Sequence, residues 1–263
     1  MVAETISLPN LRKMFVPDEG YVIIDADLER ADAQVVCWEA DDEELKQIFK
    51  SGADIHEENG RAIFGVSKCS VDQRDKAKKG VHGANYGVSA RTLAGHIGTT
   101  VHEAEVFLAR WFGAHPKIKA WHKRTAFNLK TKRCIYNQFG FRRYYFDRMA
   151  TDDEVGRVLP QALAWCPQST VGIVTNTGLI NIEDNLPSVM PLLQVHDSLV
   201  LQAPEDECPE VFEKIRQNML ITIPYPDPLI IPVGVKASRQ SWGDVEKIEL
   251  WVQGEKTLPK GLG

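Results

Sequence analysis

Two aspartates, Asp27 and Asp197, stand where predicted strands end or turn, about 170 positions apart. Carboxylates converging from two neighbouring strands are what a two-ion phosphoryl-transfer site needs. Mg2+ takes oxygen ligands in an octahedron and uses only one or two protein carboxylates, which leaves room for phosphate and water. Two such ions, roughly 3.5–4 Å apart, can stabilise both the attacking and the leaving oxygen of an in-line displacement. Spacing alone does not bring the two aspartates together, and an aspartate in a tight turn is also an ordinary surface residue. A second set, Arg74, Lys78, His82 and Tyr86, recurs every four residues and so lines one face of a helix. Arginine offers bidentate phosphate contacts and lysine a point charge. Such a stripe suits a triphosphate at one end and a base at the other; it equally suits the solvated basic face of an amphipathic helix.

The elements that must position these residues can be read from pattern. The β-branched run Tyr21 to Asp27 follows the turn Pro17 to Gly20 and predicts a strand. Helical spacing then runs from Ala31 to Phe49, and Lys50 to Asp54 is a break. From about Ile55 to Thr131 the chain reads as helical. Within it Ser70 and Gln73 form a capping box that opens the helix carrying Lys78 and His82. Ala104 to Phe112 and Pro116 to Leu129 predict two more helices, and Cys134 to Phe146 a short strand pair around Gly140. Gln161 to Ile180 predicts a buried helix. Met190 to Val195 and Ser198 to Gln202 predict a hairpin turning at His196 and Asp197. A helix from Pro204 to about Met219 and a last strand from Leu229 to Lys236 complete the order. Strand, helices, hairpin, helix and strand fit an α+β sheet with a helical insertion.

The net charge of −5 argues against a nucleic-acid partner until its distribution is seen. Acids dominate from Asp18 to Glu58, with Asp25, Asp27, Glu29, Asp32 and the run Asp41 to Glu44. Bases dominate from Arg61 to Arg148, where Lys76, Lys78, Lys79, Lys117, Lys119, Lys123, Arg124, Lys130, Lys132, Arg133, Arg142 and Arg143 fall. An acidic half and a basic middle suit an enzyme that holds cations in one place and phosphates in another. Five scattered cysteines with no CxxC pair predict neither a disulfide framework nor a structural zinc. No apolar run reaches the roughly 20 residues of a membrane span and the N-terminus has no signal-peptide pattern. The expectation is a reducing interior compartment, with no membrane partner.

Three stretches together resemble the family A DNA polymerases, the bacterial DNA polymerase I group. Tyr21 to Gln34, YVIIDADLERADAQ, resembles their motif A. Arg74, Lys78, His82 and Tyr86-Gly87 resemble motif B, on the fingers helix, and Gln194 to Ser198, QVHDS, resembles motif C. Lesser matches are Asp54-Ile-His56, Phe64-Gly65, Phe139 to Arg143, Gln168-Ser-Thr, Lys236 and Trp242-Gly243, so the resemblance runs from about Leu11 to Trp242.

The resemblance implies template-directed DNA synthesis: attack of a primer 3′-hydroxyl on the α-phosphorus of a dNTP, with two Mg2+ ions (Mn2+ as a substitute). Asp27 and Asp197 would bind both metals, helped by the carbonyl of Leu28. Arg74 and Lys78 would hold the triphosphate, with Lys78 the proton donor to the leaving pyrophosphate. Tyr86 would close the nucleotide pocket. His196 would contact the primer end, Gln168 the minor groove, and Arg142 and Arg143 the nucleic-acid backbone of the primer–template. Motif register favours Asp27 over Asp25, which becomes a satellite carboxylate or a hydrogen-bonded structural residue.

The sequence departs from the family at three places. Asp32 stands where a glutamate normally blocks a ribose 2′-hydroxyl, so weakened but surviving exclusion of ribonucleotides is expected. His82 replaces a Phe or Tyr, and Ser198 replaces the glutamate that ends motif C. The expected architecture is a right-hand palm, 1–58 and 132–263, with helical fingers at 59–131 inserted. Thumb and exonuclease are expected to be absent, the chain being a catalytic fragment or a subunit whose partner polypeptide carries the thumb or exonuclease. Rival readings are a polymerase-like DNA-binding subunit without activity, a metal-dependent nuclease, and an RNA-synthesising relative.

Overall fold

In the computed structural model, which describes residues 8–248, the β-branched run forms strand β1 (Tyr21–Leu28). Seven helices follow: α1 (Ala31–Ala40), α2 (Glu43–Lys50), α3 (Ile55–Phe64), α4 (Val71–Asn85), α5 (Ala90–Ile97), α6 (Val101–Ala114) and α7 (Pro116–Lys132). Next come the short strands β2 (Cys134–Tyr136) and β3 (Arg142–Tyr144), then the long helix α8 (Asp152–Asn185). The remainder is β4 (Met190–Val195), β5 (Ser198–Pro204), α9 (Glu210–Met219), β6 (Thr222–Ile223), β7 (Leu229–Ile230), β8 (Val233–Ser238) and β9 (Glu246–Lys247). These elements fall into two units, one comprising residues up to Glu29, Gly172–Ile223 and from Ile230, the other Arg30–Val171 with Pro224–Leu229.

The first unit is built on an antiparallel sheet of order β4-β5-β1-β8-β9. β1 lies in the middle, paired on both edges, and Val22, Ile23, Ile24 and Ala26 are wholly buried. That explains a strand apolar on both faces where an antiparallel strand usually alternates. Burying each of the valine and isoleucine side chains contributes about 1.5–3 kcal/mol. Ile23, Val200 and Trp242 form one apolar cluster, with Leu193, Val195 and Val245 packed against it. Helix α9 buries Val211, Phe212, Ile215 and Met219. Trp242 is held by its surroundings: Phe15 meets its ring edge-on at 5.7 Å, Arg12 lies 4.4 Å over it, and its backbone N–H donates to the Phe15 carbonyl. Gln202 and Asp18 exchange two hydrogen bonds and so fix the turn that leads into β1.

The second unit is mainly helical. α4 and α6 both begin with capping boxes, Ser70 with Gln73 and Thr100 with Glu103. Gly80 allows α4 to approach α6 closely, since a Cβ there would meet the Phe107 ring. A second core, formed by Leu129, Ile135, Tyr145, Met149, Val155, Val158, Ala162 and Cys166, joins α7, the β2–β3 hairpin and the first half of α8.

Four expected elements differ. The helix expected from Ala31 to Phe49 is two helices, because Asp41 is left-handed (φ 55°) and Asp42 caps α2 by accepting from the Leu45 N–H. The helix expected from Gln161 starts earlier, at Asp152, and runs on through Pro160 and Pro167. Packing of Val155, Val158 and Ala162 outweighs the local preference against helix before proline. The last strand is interrupted between Ile230 and Val233, where Pro232 falls, and Glu205–Glu207 is a short 3-10 turn ahead of α9. All five cysteines are free, and no helix among the described residues is long and apolar enough to cross a membrane.

Candidate active site

Asp27 lies near the end of β1, directly opposite Ser198 on β5 and Gly234 on β8. The β4–β5 turn places Asp197 next in line. Its backbone carbonyl accepts a 3.1 Å hydrogen bond from the Leu28 N–H, which continues the ladder into the turn. His196 takes the left-handed conformation there (φ 56°), one that histidine tolerates better than most residues. The sheet therefore gathers Asp27, Leu28, His196 and Asp197 at one end. His196 is exposed, while both aspartates are half-buried.

Electrostatics report the same convergence. The Asp27 carboxyl is pushed up to about 6, first by burial, then by the charges of Asp197 and Asp25, with Lys236 opposing and Glu29 adding. Two mutually repelling, partly desolvated carboxylates are a place where a divalent cation would relieve strain. No group of three or more His, Cys, Asp or Glu side chains suited to a metal occurs among the described residues. Two carboxylates and a carbonyl nevertheless fit the oxygen-only, partly hydrated ligand set of Mg2+.

Asp25 has a different part. It is buried, accepting from the Ser198 hydroxyl at 2.6 Å and from the Trp242 indole N–H at 2.7 Å. Both oxygens are engaged, so Asp25 is a hydrogen-bonded structural carboxylate beside Asp27. Ser198, in the position where the family has a glutamate, is the donor that holds it.

In the helical unit the basic stripe lies on α4, with Tyr86 at its C-cap. Lys76 and Lys79 form i,i+4 ion pairs with Asp72 and Asp75, a solvated helix face. Arg74 instead grips Asp54 with two nitrogens, at 2.9 and 2.8 Å. Asp54 also caps α3 through the N–H groups of His56 and Glu57. Burial works against the Asp54 charge, but Arg74 and those N–H groups outweigh it and hold its pKa below the usual carboxylate range. Lys78 is exposed, and no carboxylate pairs with it among the described residues.

His56 is the residue whose part the motif fragment did not predict. Burial lowers its pKa; Asp54 opposes, and the nearby charges of Arg74, Lys78 and Arg30 lower it further. A neutral imidazole in a cationic cluster is set to gain a proton when an anion arrives. The visible signal was the spacing Asp54-Ile-His56.

At the other end of α4, the Tyr86 hydroxyl donates to Asp32 Oδ2, and His82 Nδ1 lies 3.6 Å from the same oxygen. The His82 and Tyr86 rings meet edge-on at 5.2 Å. Burial, then the Asp32 charge, pushes the Tyr86 phenol far up, so it stays a hydrogen-bond donor. Gln168 on α8 and Arg142 and Arg143 on β3 are exposed. Arg143 reaches Gln161 at 3.3 Å and Arg142 lies 5.2 Å over the Tyr144 ring.

With an antiparallel sheet presenting two carboxylates at its end, and a helix presenting cations and aromatics in file, the chain belongs to DNA polymerase family A, which it matches over residues 3–244. It is 34% identical over 233 residues to the thermostable DNA polymerase I of Thermus filiformis, covering 86% of this chain and 28% of that protein. Identity to the DNA polymerase I of Deinococcus radiodurans is 29% over 230 residues, with 85% and 24% covered. The chain thus spans about a quarter of the length of these relatives. Its fold is similar to that of the POL domain of Pol1 from M. smegmatis, solved in complex with DNA primer-template and dNTP. The TM-score is 0.80 at 22% identity, with 88% of this chain and 42% of that chain covered.

Proposed function

We propose that this chain is a template-directed DNA polymerase that transfers a nucleotidyl group from a dNTP to a primer 3′-hydroxyl. The observation that carries the reading is the meeting of Asp27 and Asp197 at one end of the sheet, with the Asp27 carboxyl pushed up to about 6.

Asp27, Asp197 and the Leu28 carbonyl are the residues that would hold two Mg2+ ions, or Mn2+ in their place. When bound, such ions stabilise the attacking and leaving oxygens of the displacement. Asp25, fixed by Ser198 and Trp242, keeps the Asp27 strand in place. Arg74 and Lys78 bind the triphosphate, Arg74 by exchanging Asp54 for phosphate oxygens and Lys78 as proton donor to the pyrophosphate. Asp32, steadied by Tyr86 and approached by His82, marks where a ribose 2′-hydroxyl is turned away. His196 contacts the primer end, Gln168 the minor groove, and Arg142 and Arg143 the strand backbone. Positioning and fixed charge account for most of the rate in such chemistry. In this reading the palm is drawn from 1–58 and 132–263 and the fingers from 59–131. Its partners are primer–template DNA and dNTPs, with a second polypeptide adding thumb or exonuclease contacts.

Primer extension by the purified chain with Mg2+ and four dNTPs tests the proposal. Extension with dNTP-dependent pyrophosphate release is expected, and loss of both in Asp27→Ala and Asp197→Ala. Extension that survives both substitutions would overturn it.

A further inference from the structure

The β2–β3 hairpin carries an exposed row of rings that the catalytic reading does not use. Its register pairs Tyr136 with Arg142 and Cys134 with Tyr144. In an antiparallel pair, opposite residues share a face, so Cys134, Tyr136, Arg142 and Tyr144 line one side of the ribbon, with Cys134 buried and the other three exposed. Ile135 and Tyr145 are buried in the core beneath and anchor the ribbon there. Outside, Tyr136 is 53% exposed, Tyr144 48% and Phe146 87%. The rings are ordered against one another: Arg142 lies 5.2 Å over Tyr144, and Tyr144 and Phe146 stack at 6.3 Å and 27°.

Charge indicates what covers this row. From Lys123 to Arg148 the chain holds eight lysines and arginines and a single acid, Asp147. Arg142 and Arg143 pair with no carboxylate among the described residues, whereas Lys130 and Arg148 do, with Asp152 and Glu154. A complementary partner must be anionic and must offer flat apolar faces at intervals. Unpaired nucleic acid has both. Duplex offers its phosphates but keeps its base faces stacked inside, so it could engage the arginines and not the rings.

We propose that Tyr136, Arg142, Tyr144 and Phe146 form a stacking platform for unpaired bases of a single strand, beside the backbone contacts of Arg142 and Arg143. The platform extends the role given to those arginines and does not require the chain to be catalytic. Base–aromatic stacking is sequence-tolerant because every base has a π-face, so the preference is for bases over no bases.

The test is fluorescence anisotropy of the full chain with a labelled single-stranded oligonucleotide and an abasic strand of equal phosphate count. Wild type is expected to bind the base-bearing strand at least about fivefold more tightly. Phe146→Ala and Tyr144→Ala should each weaken that binding by about five- to a hundredfold and leave abasic binding unchanged. Phe146→Leu, which keeps apolar bulk without a π-face, should behave like Phe146→Ala. Equal wild-type affinity for the two strands overturns the proposal, as does unchanged affinity in the Tyr144/Phe146 double alanine variant. A parallel loss of abasic binding also overturns it, because the rings then act through the hairpin's shape. Phe146-dependent binding to phosphatidylserine vesicles without any base preference would reassign the surface to lipid.

Discussion

Replacing Asp27 with asparagine should make the metal-free protein more stable while abolishing nucleotidyl transfer. An ordinary aspartate titrates near 3.9, and Asp27 is raised to about 6 by burial and then by Asp197 and Asp25. A difference of about 2 in pKa corresponds to ~3 kcal/mol. Water still reaches this half-buried group, so about 1–2 kcal/mol is the usable figure. The sign follows from proton binding. The folded state holds this proton more tightly than the unfolded chain, so stability from this group rises as pH falls. Above about pH 6 both states are ionised and the folded state bears the whole cost; between about 6 and about 4 that cost disappears. Asp27→Asn has no such titration. Its advantage should therefore be greatest at pH 7–8 and absent near pH 4. Thermal unfolding followed by circular dichroism in EDTA is the assay, with a gain of about 2–8 °C expected at pH 7.5 for a chain of this size. Adding Mg2+ should raise the wild-type Tm by native-state binding and raise that of the variant less. A variant no more stable than wild type at pH 7.5, or a gap independent of pH, would refute the reasoning.

Other substitutions separate the remaining parts. Arg74→Ala should raise the dNTP KM about 10- to 100-fold, the worth of a charged hydrogen bond of about 1.5–3 kcal/mol, in steady-state primer extension. Tyr86→Phe removes the donor to Asp32 and should lower the dNTP-over-rNTP preference, read from kcat/KM for dATP and ATP; Asp32→Ala should lower it further. Gly243→Ala would put a Cβ 2.9 Å from the Lys13 backbone nitrogen, a clash that must move one segment. Chemical denaturation should show a loss of about 1–3 kcal/mol, and unchanged stability would mean the N-terminal segment yields freely.

What the sequence disclosed, and what it hid, follows the range of the forces involved. β1 was legible because a central strand buries both faces and so spells out Val, Ile and Ile. The hairpin at His196 and Asp197 and the capping boxes are local chemistry and were legible too. The break at Asp41 and Asp42 was not, because the apolar period continues across it. The contact that marks it is long-range: His115 Nδ1 lies 3.3 Å from a buried Asp42 oxygen. The start of α8 at Asp152 was not legible, because Val155, Val158 and Ala162 find their apolar partners on α7 and the β2–β3 hairpin and not within the helix itself. In the site, the motif resemblance singled out Asp27, Asp197 and the α4 stripe as candidates. The grip of Asp54 on Arg74 and the charges around His56 depend on which side chains meet in space, and periodicity does not encode that. Ser198 reads in sequence as a lost carboxylate, and in the structure as the donor that secures Asp25.

The anchoring of Asp25 from two remote places bears on how this protein can evolve. Side chains of a strand alternate in direction, so a one-residue slip of β1 would exchange Asp27 for Ala26 or Leu28 at the position proposed to face the cations. Ser198 and Trp242 lock the sliding direction from both flanks. Drift at position 25 should then be coupled to drift at 198, with a hydroxyl retained wherever the inner carboxylate persists and surrendered with it. Descendants that abandon one and keep the other would bear a buried carboxylate held by Trp242 alone, with its second oxygen unsatisfied, or an idle hydroxyl there.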